Sequence, residues 1–144
     1  MFLGPMADQL QRDNSFLAPK ELIDALLEYG SALTHPENTR LFERGAGAKG
    51  LFLLQSGSVR LSIPGAIDCQ VGPGSLLGVP ATLSKGVYSL TADLLEESRV
   101  LFVPSERVTA LLTEHPEIGF QMVQVLSHEI QALRQRIVDL NNDR

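Results

Sequence analysis

Between Ser31 and Val103 apolar and polar residues alternate in short runs, and after Pro104 the spacing lengthens to that of helices. The period of two predicts strands over 31–34, 40–43, 50–55, 58–63, 66–71, 89–95 and 99–103. Turn signals separate them: His35-Pro36-Glu37-Asn38, Gly45-Ala46-Gly47, Ser56-Gly57 and Pro64-Gly65. Many short strands at this spacing make an antiparallel roll or barrel. Gly72-Pro73-Gly74-Ser75-Leu76-Leu77-Gly78 is a tight turn that brings the backbone in before a new element begins. Helices flank the strands. Pro19 suits a first helical turn, Leu22, Ile23, Leu26 and Leu27 share one stripe, and Gly30 can end it. Ser105 is the expected N-cap of a helix using Val108, Leu111 and Leu112. His115-Pro116 breaks that helix and starts a longer one over about 117–140. Residues 1–18 are weakly periodic, an extension or an irregular helix laid on the domain, and 141–144 are polar and expected to fray. The whole is mainly β with flanking helices, a jelly-roll-like double-stranded β-helix carrying a long C-terminal helix.

Composition narrows the class without changing it. At 144 residues, 44% hydrophobic and 20% charged, the chain is one domain with a sizeable core. Its parts are 1–30, 31–104 and 105–142. A net charge of −5 argues against a broad nucleic-acid surface, which needs clustered Lys and Arg. One cysteine, Cys69, excludes an internal disulfide and any multi-cysteine metal site. No apolar run approaches the length of a membrane span, and Met1-Phe2-Leu3-Gly4-Pro5 lacks the basic start of a signal peptide. The cytoplasm is the expected compartment.

Arg44-Gly45, the run Gly50-Leu51-Phe52-Leu53-Leu54-Gln55-Ser56-Gly57-Ser58-Val59, the turn Gly72 to Gly78 and the strand Ser98 to Pro104 together resemble one known family. It is the cyclic-nucleotide-binding domain of the catabolite-activator and fumarate-nitrate regulators. The resemblance implies that 72–92 is a phosphate-binding cassette, in which backbone N–H groups and a short helix's N-terminus capture an anion. It also implies a glutamate for the ribose hydroxyl and an arginine for the phosphate. Those positions are Val79 and Tyr88 here. A valine accepts no hydrogen bond, a neutral phenol does not replace a bidentate guanidinium, and Pro80 removes one cradle N–H. Cyclic AMP and cyclic GMP are therefore expected to bind weakly or not at all.

The candidate ligand positions are Gly78, Val79, Thr82, Ser84, Lys85, Tyr88, Ser89 and Thr91 of the cassette, with Arg134 from the long helix. Lys85 offers a point charge near the vacated arginine position. The base-contacting positions of the family fall on Leu133 and Arg134. Three readings stand open: a cyclic nucleotide, another small anionic ligand, or a turn kept for the fold alone with Tyr88 filling the pocket. No metal and no firm cofactor is implied.

Catalysis finds little to work with. His35, His115 and His128 are scattered, and no His-x-His occurs, so a cupin-like metal enzyme is not expected. Cys69 beside Asp68 reads as an inert strand residue, since a neighbouring negative charge disfavours its thiolate.

The long helix carries the mechanical signal. Val123, Ile130 and Ile137 recur by seven, with Leu126, Leu133 and Leu140 as the second series. Branched residues at one position and Leu at the other favour a parallel two-stranded coiled coil, so a homodimer through this helix is expected. Ile118, Phe120, Met122 and Val125 are expected to pack partly on the roll. In the resembled family this helix leads to a DNA-binding helix-turn-helix. These residues carry no such pattern, so no nucleic-acid contact and no membrane contact is expected of them. The functional expectation is a regulatory sensor domain with a divergent cassette. The alternatives are a ligand-free dimerisation or partner-docking module, or the sensor half of a longer transcription regulator.

Overall fold

The structure, a computed structural model, describes residues 10–142, with side chains as far as Gln135. The expectations for 1–9, for 143–144 and for the side chains of Ile137 and Leu140 lie outside the described residues. The element order is α1 (Lys20–Leu27), β1 (Ser31–His35), β2 (Arg40–Phe42), β3 (Gly50–Ser56), β4 (Val59–Ile63), β5 (Ile67–Val71) and β6 (Leu76–Leu77). Then follow α2 (Val79–Ser84), β7 (Thr91–Leu94), β8 (Ser98–Pro104), α3 (Ser105–Glu114) and α4 (Pro116–Asn142). Two four-stranded antiparallel sheets, ordered β1-β8-β3-β6 and β2-β7-β4-β5, face each other as a β-roll.

β3 shows why the roll has two cores. Its apolar run is buried on both faces, as expected of a central strand covered on each side. Leu54 faces the roll interior with Val59, Leu61, Ala92 and Val100. Leu51 and Leu53 face outward, where Leu22 and Leu26 of α1, Leu111 of α3 and Met122 and Val125 of α4 cover them. The same alternation places Val100 inside and Leu101 and Val103 under the helices. Gly57 turns β3 into β4 at φ +97°, and a Cβ there would lie 1.9 Å from Ser98 Oγ. Only glycine fits.

The elements expected from periodicity are present, with shifts at their ends. β7 begins at Thr91 rather than at residue 89. β6 and α2 are too short to register as periodic patterns. Ser105 is the first residue of α3 rather than its cap: Pro104 holds the cap position and no side chain caps the helix. The Ser105 N–H is satisfied instead by Lys49 O at 3.0 Å.

Of the two readings for the N-terminal segment, residues 10–18 form the extension laid on the domain and not the irregular helix. They run as an extended strap along the roll. Asp13 N donates to Gln70 O and Gln70 N to Gln11 O, and further on Leu76 N donates to Phe16 O and Ala18 N to Gly74 O. β6 and β5 each lie at one edge of their sheet, opposite β1 and β2. Their free backbone edges would otherwise be open to another chain, and the strap covers both. It carries Leu10 and Phe16 into the protein, Phe16 at 2% exposure inside the roll core.

Candidate ligand-binding site

The cassette begins where the turn closes. Gly78 adopts φ +84°, and a Cβ there would come within 3.0 Å of the Tyr88 ring, so the backbone at this point approaches a side chain too closely for any other residue. α2 follows with Pro80 in its first turn and ends at Lys85 in the left-handed region. The chain then returns through Tyr88 to β7.

Tyr88 is the centre of the region. It is 5% exposed, and its ring stacks on Phe42 with centroids 4.2 Å apart and planes 20° from parallel. Its hydroxyl donates to Gly50 O at 2.7 Å and accepts from Lys49 N–H at 3.3 Å. The position matching the family's phosphate arginine is thus a satisfied core phenol. Behind it lies an internal cavity between the roll and α4, lined by the Phe16, Phe42 and Tyr88 rings, by Gly78, Pro80, Ala81 and Ser89, and by Glu129. Measured to the centre of a water-sized sphere its free volume is about 10 Å³, close to the minimum for one water.

The candidates divide. Gly78, Tyr88 and Ser89 line this cavity. Val79, matching the ribose glutamate, is fully buried but belongs to the helix-side core with Leu51 and Leu76. Thr82 is buried with its Oγ1 unpartnered. Ser84 and Lys85 are exposed, and Lys85 borders a separate surface depression with Lys49 and Glu106. Thr91 Oγ1 accepts the Arg44 N–H at 3.1 Å, tying β2 to β7. Arg134 is exposed. Leu133 is half-buried against the roll interior. Cys69 is a buried strand residue, and no group of three metal-ligating side chains occurs among the described residues.

Two residues of the site escape the motif reading. Phe16 comes from the strap, whose sequence has no period. Glu129 comes from α4, where it is 2% exposed and its Oε2 has no hydrogen-bond partner. Burial pushes its carboxyl from an ordinary 4.5 up to about 8, because a charged carboxylate is poorly solvated there. A signal was present. Ile118, Met122 and Val125 are the buried stripe of α4, and Glu129 continues it one turn later. An acid inside an apolar stripe marks a position that packing alone would not choose.

On α4 the heptad series separates. Val123 and Ile130 are 52% and 40% exposed, whereas Leu126 and Leu133 are half-buried against the two cores. Ile118, Met122 and Val125 pack on the domain as expected, but Phe120 points outward at 70% exposure. Three residues before the exposed Val123, it lies on the same solvent face of the helix instead. Among the described residues no helix is long and apolar enough to cross a membrane.

Comparison with known proteins agrees with this architecture. Residues 33–115 match the family model described as cyclic nucleotide-binding domain. The chain is 28% identical over 120 residues to the cyclic AMP receptor protein of Thermus thermophilus, covering 80% of this chain and 55% of that protein. It is 26% identical over 126 residues to the transcriptional activator protein FnrA of Stutzerimonas stutzeri, covering 84% and 50%. The crystal structure of the Thermus thermophilus catabolite activator protein superposes with a TM-score of 0.71 at 25% identity, over 85% of this chain and 60% of that one. The chain therefore spans about half the length of the curated relatives it matches. With the family model matching more than half of its residues, this chain belongs to the cyclic nucleotide-binding domain family of the catabolite-activator and fumarate-nitrate regulator type.

Proposed function

We propose that this chain is a regulatory, non-catalytic sensor domain of the cytoplasm whose pocket has given up cyclic AMP and cyclic GMP, and whose output passes through α4 to a second copy of the chain. The observation that carries this reading is Tyr88. A side chain that must neutralise a cyclic phosphate needs a positive charge at this position, and here a stacked phenol is bonded to Gly50 O instead. Among the described residues no lysine, arginine or histidine lines the cavity behind it. Loss of a charged hydrogen-bonding contact removes roughly 1.5–3 kcal/mol each, and both the ribose and the phosphate contacts are missing.

Titration calorimetry tests it directly. Neither nucleotide should bind the wild-type protein in the low-micromolar range, and such binding would overturn the reading. Two other readings keep some support. The small cavity, filled by Tyr88 and Phe16, favours a ligand-free dimerisation or docking module. The half-length match to two regulators favours a sensor half of a longer transcription regulator.

A further inference from the structure

Glu129 has no part in the reading so far. Its carboxyl is carried on the core-facing side of α4 into an apolar cavity, and Oε2 meets no donor there. A buried polar group left unpaired is costly, and a leucine or methionine would pack this helix at no such cost. We propose that the roll interior is a binding site for a small aromatic amine, its ring taking the place of the Phe16 side chain and its ammonium group meeting Glu129 Oε2. The proposal rests on the sensor reading and names the ligand class.

Three features set the chemistry. The wall is aromatic: Phe42 and Tyr88 present a stacked pair, and the Phe16 ring already occupies the space beside them at 2% exposure. A planar ring is thus the shape this interior accepts. The unsatisfied group contributed by Glu129 is an acid, and among the described residues no cationic side chain lines the cavity, so a phosphate or carboxylate would be buried there without a counter-charge. A lone carboxylate without further oxygen or nitrogen donors does not hold a metal ion. An ammonium on an apolar body satisfies the acid and the wall together.

Phe16 is an internal stand-in for that body. It belongs to the strap, which is held on the roll edges largely by backbone hydrogen bonds, and the adjoining cavity wall includes the exposed Ser89. Withdrawal of Phe16 would leave a ring-sized space against the stacked pair, open to the ligand.

Binding carries a proton signature. In the empty domain burial keeps the Glu129 carboxyl protonated to about pH 8. An ammonium beside it favours the carboxylate, so near pH 7 the carboxyl gives up its proton to solvent as the amine binds, and affinity rises with pH towards 8. Tyr88 is the other titratable side chain lining the cavity, and its hydroxyl is committed to Gly50 O. Arg12 and Asp13 of the strap lie further along α4, in a surface groove with Ala132 and Gln135.

Calorimetry with benzylamine on the Phe16→Ala variant, in two buffers of different ionisation enthalpy near pH 7, tests the site. The variant should bind benzylamine at least about tenfold more tightly than the wild type does. It should release close to one proton per ligand and prefer benzylamine to benzoate by a similar factor. Glu129→Gln in the same background should lose both the tenfold and the proton release. Should Phe16→Ala fail to fold, Phe16→Leu takes its place, with benzylamine expected to raise its melting temperature and to leave that of Phe16→Leu/Glu129→Gln unmoved. Absence of benzylamine binding at millimolar concentration, equal binding of benzoate, or retention of binding and proton release without Glu129 would each overturn the proposal. The sensor reading fails separately, on micromolar binding of cyclic AMP or cyclic GMP to the wild type.

Discussion

The Tyr88 hydroxyl donates to the carbonyl of Gly50 at 2.7 Å, joining residues 38 positions apart in the sequence. Gly50 opens β3, where a Cβ would lie 2.2 Å from Val103 O, so the strand start, the neighbouring strand β8 and the cassette close on one another at this point. The bond is an internal tie between the cassette and the start of β3. It makes the pocket part of the core.

That tie can be cut with one atom. Tyr88→Phe keeps the stack on Phe42 but leaves Gly50 O and the Lys49 N–H without this partner. The expected loss is about 1–2 kcal/mol of unfolding free energy, measured by denaturant titration. An unchanged midpoint would mean that water reaches these groups and that the cassette is looser than the contacts imply.

Restoring the family's acid is expected to fail. Val79 is fully buried among Leu51, Leu76 and the helix-side core, away from the cavity that Glu129 lines. Val79→Glu puts a carboxylate into that core, at an expected cost of at least about 3 kcal/mol or outright failure to fold. A stable Val79→Glu protein that gains cyclic nucleotide affinity would show that α2 can turn this position towards a ligand.

Glu129 gives the domain a pH dependence of unusual sign. Its carboxyl titrates near an ordinary 4.5 when unfolded and at about 8 when folded, so the folded state holds the proton more tightly. The stabilisation is complete below about pH 4.5 and is lost as pH rises through about 8. The loss is on the order of 5 kcal/mol at most. Glu129→Gln should flatten this slope, so that the variant overtakes the wild type above neutral pH in chemical denaturation. Parallel curves for the two proteins between pH 5 and 9 would show that the carboxyl is solvated.

Most of the fold was legible because it rests on local signals. The strand runs, the turn glycines and the break at His115-Pro116 each specify their own neighbourhood, and the two sheets follow from them. The strap was not legible, because its conformation comes from backbone bonds to β5 and β6 and not from its own side-chain period. The site was half legible. That an uncharged tyrosine stands at position 88 is visible in the sequence, but which core Val79 joins depends on the turn of a six-residue helix. Glu129 was within reach of periodicity, which places it on the buried stripe of α4.

The heptad pattern of α4 reads differently once the roll is in place, and this sets the last prediction. Leu126 and Leu133 are partly taken up by the domain's own cores, whereas Phe120, Val123 and Ile130, spaced by three and seven, project into solvent. A homodimer seam on this helix should therefore be centred on Val123 and Ile130 and bordered by Leu126 and Leu133, with the helices parallel about a two-fold axis. A fully exposed apolar side chain gains roughly 1.5–3 kcal/mol on burial, and Phe120, Val123 and Ile130 are 70%, 52% and 40% exposed, so the three supply about 5–10 kcal/mol per pair. Association costs about 4–15 kcal/mol, so the dimer also draws on the bordering Leu126 and Leu133. Ile130→Asp is the clean test, since this position is 40% exposed in the single chain and its loss should spare the fold. Light scattering should show a dimer for the wild type and a monomer for Ile130→Asp, both with native circular dichroism. Leu133→Asp should also lose the dimer, but with a lowered melting temperature, because it disturbs the roll as well as the seam. A monomeric wild type, or an Ile130→Asp protein that stays dimeric, would remove the helix from the interface.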